Sequence, residues 1–193
     1  PDSGSIMFDG AEISGLPAHE RSQCGLARSF QITSIFKKLT VIENVAMSIQ
    51  AHDGHSFRFW RPANTDPALI DPSQKLLDSV GLGARAQSLA ANLAHGEQRQ
   101  LEIAMALATG PKLLLLDEPT AGMGPEDSQH MVTFLQDIKG EYSMLLIEHD
   151  MDTVFALADR ITVLVYGRAI ATGTPSEIRA NDEVRAAYLG EED

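Results

Sequence analysis

Two spacings of apolar positions alternate along this chain. Four leucines run unbroken in "KLLLLDEP", and "SMLLIEHD" and "RITVLVYG" repeat the same kind of run further on. A strand apolar on both faces is what a sheet covered by helices requires. Between these runs the apolar positions recur at helical spacing. Leu101, Ile103, Ala104 and Leu107 line one stretch that closes at Gly110-Pro111, and a second helix is predicted from about Glu126 to Lys139. "DTVFALAD" is a third. Strands alternating with helices predict an α/β domain with right-handed crossovers and a mostly parallel sheet flanked by helices.

The first half is less regular. Ser5 to Phe8 predicts a strand closed by the Asp9-Gly10 turn, and a short helix follows Leu16-Pro17. "LARSFQ" reads as a strand ending at Gln31. Thr40 and Glu43 form a capping box that opens the helix "VIENVAMSI". Residues 52–65 are polar, hold the only tryptophan and lack a clear period, which predicts a surface excursion. Asp66-Pro67 and Asp71-Pro72 then punctuate a helix reaching Val80, with Leu76, Leu77 and Val80 on one face. Thr174 and Glu177 make a second capping box near the end. No internal repeat and no linker interrupts the chain, so one domain over 1–193 is expected.

Composition narrows the partners. The net charge is -12 and the pI about 4.8, which disfavours free nucleic acid or an anionic membrane surface as a general partner. A small polyanion held together with a cation stays compatible with that charge. The single cysteine, Cys24, excludes an internal disulfide and suits a reducing compartment. Apolar runs all fall short of the ~18 residues of a membrane span, and no basic, apolar leader opens the sequence.

The candidate chemistry lies where strands end, since open α/β sheets collect ligands at the carboxyl ends of their strands. Asp117 and Glu118 close one apolar run; Glu148, His149 and Asp150 close the next. An Asp there suits Mg²⁺, which prefers oxygen ligands and keeps much of its water. The adjacent Glu suits orientation or deprotonation of an attacking water, and the histidine a hydrogen bond to a terminal phosphate. Capping of the following helix is the competing explanation, and for Asp150 it is the preferred one.

These motifs together resemble the nucleotide-binding subunit of an ABC transporter, most like its branched-chain amino-acid (leucine/isoleucine/valine) uptake branch, and the resemblance runs over essentially the whole chain. It implies a P-loop NTPase-like ABC ATPase domain, with a helical subdomain over about 40–95 and the signature helix, Walker B strand and switch histidine over 96–193. "LLLLDEP" then corresponds to Walker B, with Asp117 as the Mg²⁺ ligand and Glu118 as catalytic base. His149 in "LIEHDM" matches the switch histidine. Gln31 in "RSFQ" matches the Q-loop glutamine, a sensor of γ-phosphate and Mg²⁺. The signature corresponds to Leu93, Ala94, His95, Gly96, Glu97 and Gln98, which would meet ATP on a partner subunit. "LTVIENV" and "GTPSEI" stand in the expected order. The implied partners are transmembrane permease subunits, a second ABC ATPase subunit in a homo- or heterodimer, and indirectly a solute-binding protein. The implied location is cytoplasmic, peripheral on the inner face of the cell membrane. Nucleic acid is not among the implied partners. A soluble ABC ATPase of DNA repair fits less well, since only about 60 residues separate Gln31 from Leu93, leaving no room for a long coiled coil. Translation factors of this family usually carry two cassettes where this chain shows one. A non-catalytic fragment is the third alternative.

Three departures from the family pattern stand out. Ala94 lacks the hydroxyl of the usual LSGGQ serine, while Gly96 and the following helix N-terminus keep their backbone donors. Gly124 occupies the usual Asp or Asn position of the D-loop. No GxxxxGK[ST] cradle occurs among the 193 residues, and Lys37, Lys38, Lys75, Lys112 and Lys139 all lie in other contexts. The family places that cradle, with its early strands, just before "PDSG". Without it, these residues are expected to hold ATP weakly, to turn little of it over, and to self-associate through uncovered apolar strands.

Overall fold

A computed structural model describes residues 4–29, 34–52 and 66–189. The chain divides into two compact units, 1–145 and 146–193, and each is built around its own core.

The first unit opens with a short antiparallel hairpin, β1 (Met7–Phe8) and β2 (Ala11–Glu12), turned at Asp9 and Gly10, both of positive φ. The sequence predicts β1 and its turn but not the return strand, which is two exposed residues long. After helix α1 (Ala18–Gln23) comes β3 (Leu26–Arg28), which pairs in parallel with β4 (Leu113–Asp117) in the register Ala27 opposite Leu114. Gly25, at φ +98°, lets the chain turn into β3 while its carbonyl accepts from the backbone N–H groups of Lys112 and Leu113 at 2.7 and 3.1 Å. The three-stranded sheet runs β3–β4–β5, with β5 spanning Ser143–Ile147.

The helical region between β3 and β4 holds α2 (Val41–His52), α3 (Pro67–Ser79) and α4 (His95–Leu107). The predicted Thr40–Glu43 capping box forms: Glu43 Oε2 accepts from Thr40 N–H at 2.8 Å, and Thr40 Oγ1 accepts from Glu43 N–H at 3.3 Å. Val41, Val45, Leu77, Val80, Leu101 and Ile103 bury against one another's helices, as their spacing requires. Buried Asn44 is the exception among them. Its amide Nδ2 donates to the carbonyls of Phe36 (3.1 Å) and Thr40 (2.8 Å), and its Oδ1 accepts from Phe36 N–H (2.8 Å), tying the incoming loop to α2. Helix α5 (Pro125–Ile138) follows β4, with Met131, Phe134, Leu135 and Ile138 buried.

The second unit holds α6 (Met151–Leu157), β6 (Ile161–Val165), β7 (Arg168–Gly173), α7 (Pro175–Arg179) and α8 (Asp182–Leu189). β6 pairs antiparallel with β7 as a separate two-stranded ribbon, through a two-residue turn at Tyr166 and Gly167 with φ +47° and +77°. Two positive φ values match the right-handed twist of a hairpin, so the chain reverses at once after β6. The ribbon's inner face, Ile161 and Val163, packs with Ile178 and Val184.

Candidate functional site

β4 buries Leu114 and Leu116 on one face and half-buries Leu113, Leu115 and its last residue, Asp117, on the other. Asp117 Oδ2 accepts from Arg28 Nη2 at 3.1 Å, from the end of the neighbouring strand β3. Glu118 follows in a left-handed backbone conformation, φ +47°, which costs a non-glycine residue of order 1 kcal/mol. Its carbonyl accepts from Ala121 N–H at 3.1 Å and starts the turn toward Gly124.

Beneath this strand end lies a buried ion pair that sequence reading does not find. Arg99 on α4 donates from Nη1 to Glu102 Oε2 at 2.7 Å, with the two side chains only 4% and 6% exposed. Its Nη2 donates to the carbonyl oxygen of Asp117 at 2.7 Å and contacts that of Glu118 at 3.4 Å. The signal available in the sequence is two opposite charges three residues apart, flanking Leu101 on the apolar stripe of a helix.

The signature residues divide by role. Leu93 is buried and packs in the core, whereas Ala94 and His95 are exposed. Glu97 and Gln98 turn back on their own loop: Glu97 Oε2 accepts from Ala94 N–H at 2.9 Å, and Gln98 Nε2 donates to Leu93 O at 2.9 Å. With alanine at position 94, only this half of a capping box exists at the start of α4. Arg85 steadies it, its Nε 3.4 Å from Glu97 Oε1 and its Nη2 donating to Asn92 O at 3.1 Å. A side chain on Gly96 would meet Asp127 of α5 at 3.4 Å, and one on Gly122 would meet His95 at 3.8 Å, so the signature end of α4 lies close to the D-loop. Gly124 itself is exposed and stands at the N-cap of α5 with open space around it.

In the second unit, His149 is 75% exposed, while the carboxylate of Glu148 is 1% exposed and accepts from His149 N–H at 3.1 Å. Asp150 caps α6, accepting from Asp152 N–H at 3.0 Å and from Thr153 Oγ1 at 3.0 Å, which is the role preferred for it from sequence. Gln31 lies outside the described residues.

Among the described residues no cluster of three or more His, Cys, Asp or Glu side chains forms a metal cage. A single strand-end carboxylate with solvent access is the kind of donor that suits a cation retaining its waters. No described helix is long and apolar enough to cross a membrane.

A family model described as ABC transporter matches residues 1–121, and one described as branched-chain amino acid ATP-binding cassette transporter matches residues 170–193. The high-affinity branched-chain amino acid transport ATP-binding protein BraF of Pseudomonas aeruginosa is 38% identical over 198 residues, covering 99% of this chain and 78% of that protein. The corresponding protein LivG of Escherichia coli is 37% identical over 203 residues, covering the same 99% and 78%. Among solved structures, an ATP-binding cassette of an ABC transporter in its ADP conformation superposes with a TM-score of 0.81 at 26% identity, covering 98% of this chain and 78% of that one. A family match over residues 1–121, and 38% identity across 99% of the chain, show that it belongs to the ABC transporter family as an ATP-binding cassette related to those of branched-chain amino acid transport.

Proposed function

We propose that this chain is the ATP-hydrolysing subunit of an importer for branched-chain amino acids, working as a nucleotide-sandwich dimer. It docks on transmembrane permease subunits at the inner face of the cell membrane, and a solute-binding protein acts on the far side. The observation that carries the reading is the acid pair Asp117–Glu118 at the open end of β4, held from below by the helix that begins with the signature.

In this reading Glu118 takes the proton of the water that attacks the terminal phosphate. His149, 75% exposed, hydrogen-bonds that phosphate in this reading. Gln31 reports the state of the γ-phosphate to the permease. Asp117 would hold Mg²⁺, which supplies neutralisation of phosphate charge. Ala94, His95 and Gly96 face the nucleotide of the partner subunit, with Gly124 in the loop across the dimer. Leu93, Glu97 and Gln98 shape that surface from behind. Without a GxxxxGK[ST] cradle these residues grip ATP weakly. The exposed side chains of Leu145 and Ile147 on β5 give the chain a reason to self-associate.

The test is Glu118→Gln in a chain joined to a nucleotide cradle, with phosphate release and nucleotide affinity measured together. Turnover should nearly vanish while ATP binding stays, because only the base is lost. Normal turnover would remove Glu118 from the chemistry.

A further inference from the structure

The guanidinium of Arg99 is the one charged group described above that is both buried and bonded to the backbone of the acid pair. Placing an ion there is expensive. Taking a charge out of water costs several kcal/mol, and an apolar pair of similar volume commonly serves stability as well or better. What an apolar pair cannot do is donate to the carbonyl of Asp117 at 2.7 Å and reach that of Glu118 at 3.4 Å. Those two carbonyls flank the residue whose backbone sits at φ +47°, a conformation that persists only where surroundings enforce it.

We infer that Arg99 is a positioning residue: held by Glu102, it fixes the backbone of Asp117 and Glu118, so that the signature end of α4 and the strand-end carboxylates move as one body. This rests on the ATPase reading proposed above. Arg99 lies five residues after Ala94, about 7.5 Å along a rigid helix. A displacement of the signature by a partner's nucleotide therefore reaches the backbone of Glu118 through two hydrogen bonds. The device links one subunit's catalytic acid to the other subunit's phosphate. Arginine is required rather than lysine, since a planar fork can face Glu102 with one nitrogen and the carbonyls with the other.

Three variants test it: Arg99→Lys, the apolar pair Arg99→Met/Glu102→Leu, and Glu118→Gln as reference. Two quantities are read, deuterium uptake at the amides of residues 118–123 in the chain itself, and kcat and KM for Mg-ATP in the assembled transporter. The apolar pair should keep the melting temperature, raise uptake over 118–123, and lower kcat by about 10- to 100-fold with KM little changed, as a misplaced catalytic group does. Arg99→Lys should move both quantities the same way, by less. A folded apolar pair with unchanged uptake and unchanged kcat overturns the inference. Should that pair not fold, Arg99→Lys decides alone, and wild-type uptake and kcat in it are equally fatal. If Glu118→Gln turns over normally, the ATPase reading fails, while the uptake result still reports whether Arg99 sets this backbone.

Discussion

Replacing Asn44 should loosen the loop that enters α2, and the size of the effect can be worked from its three hydrogen bonds. In Asn44→Ala the two carbonyls do not become orphans: Phe36 O still accepts from Leu39 N–H at 3.0 Å, and Thr40 O from Asn44 N–H at 3.1 Å. Only Phe36 N–H loses its acceptor. One unsatisfied buried donor costs about 1–3 kcal/mol, and two lost bonds to carbonyls that keep a partner add about 1 kcal/mol between them. Phe36 is half exposed, so water relieves part of the first term. The net expectation is about 2 kcal/mol, or a fall of roughly 4–8 °C in melting temperature for a unit of this size. Asn44→Asp keeps the acceptor for Phe36 N–H but turns a carboxylate toward two carbonyl oxygens. Burial and these dipoles raise the folded pKa of the new acid above its unfolded value of about 3.9. The penalty is therefore absent below the unfolded pKa, grows as pH rises through it, and is complete above the folded pKa. Urea unfolding at pH 7 and pH 4 measures both variants, with midpoints compared at constant slope. Asn44→Asp should be the less stable at pH 7 and recover toward the wild type at pH 4. An alanine variant within about 0.5 kcal/mol of wild type, the ordinary range for surface changes, would refute the assignment of Asn44 as the loop's tie.

Other outcomes follow from single contacts. His149→Ala should lower ATP hydrolysis strongly in a cradle-bearing chain and leave the melting temperature nearly unchanged, since the side chain is 75% exposed; loss of stability with activity intact would assign it to structure. Gly124→Asp should stabilise α5 by a few tenths of a kcal/mol, because the position is its N-cap and nothing lies within 4 Å of an added Cβ; a thermal melt checks the sign. The carboxyl of Glu177 is held below the usual range, first by the backbone N–H of Thr174 and then by its hydroxyl. Its contribution is present above the ordinary carboxylate pKa and is lost as pH falls through the depressed value, so an acid titration of Glu177→Gln should diverge from wild type above that window and merge with it below.

What the sequence reveals depends on the range of the forces involved. Both capping boxes and the Asp150 cap are legible because every participant lies within three residues of the next. The core side of α4 is legible because Ile103, Ala104 and Leu107 recur at helical spacing, and all three are buried. β7 is not: "RAIATG" is mostly half-buried or exposed and has no clean period, so the Tyr166-Gly167 turn is the only local sign that the chain doubles back. Arg99 and Glu102 are missed for another reason. Charges on a helix ordinarily face water, and the partners that hold Arg99 inward include the carbonyls of Asp117 and Glu118, distant in sequence. The role of Arg28 beside Asp117 depends likewise on the parallel register of β3 and β4, which no local pattern fixes.

The left-handed backbone at Glu118 bears on how such a subunit decays over generations. At φ +47° a glycine is relaxed and an asparagine nearly so, whereas glutamate sits there against its own steric preference. Exchange of the acid for glycine would relieve that backbone strain and, on the function proposed above, remove the base at the same moment. In a lineage no longer selected for transport, relief of the strain at position 118 would favour drift away from the acid. Restoring the acid would then have to take up the left-handed strain again, which makes such a loss easier to fix than to reverse.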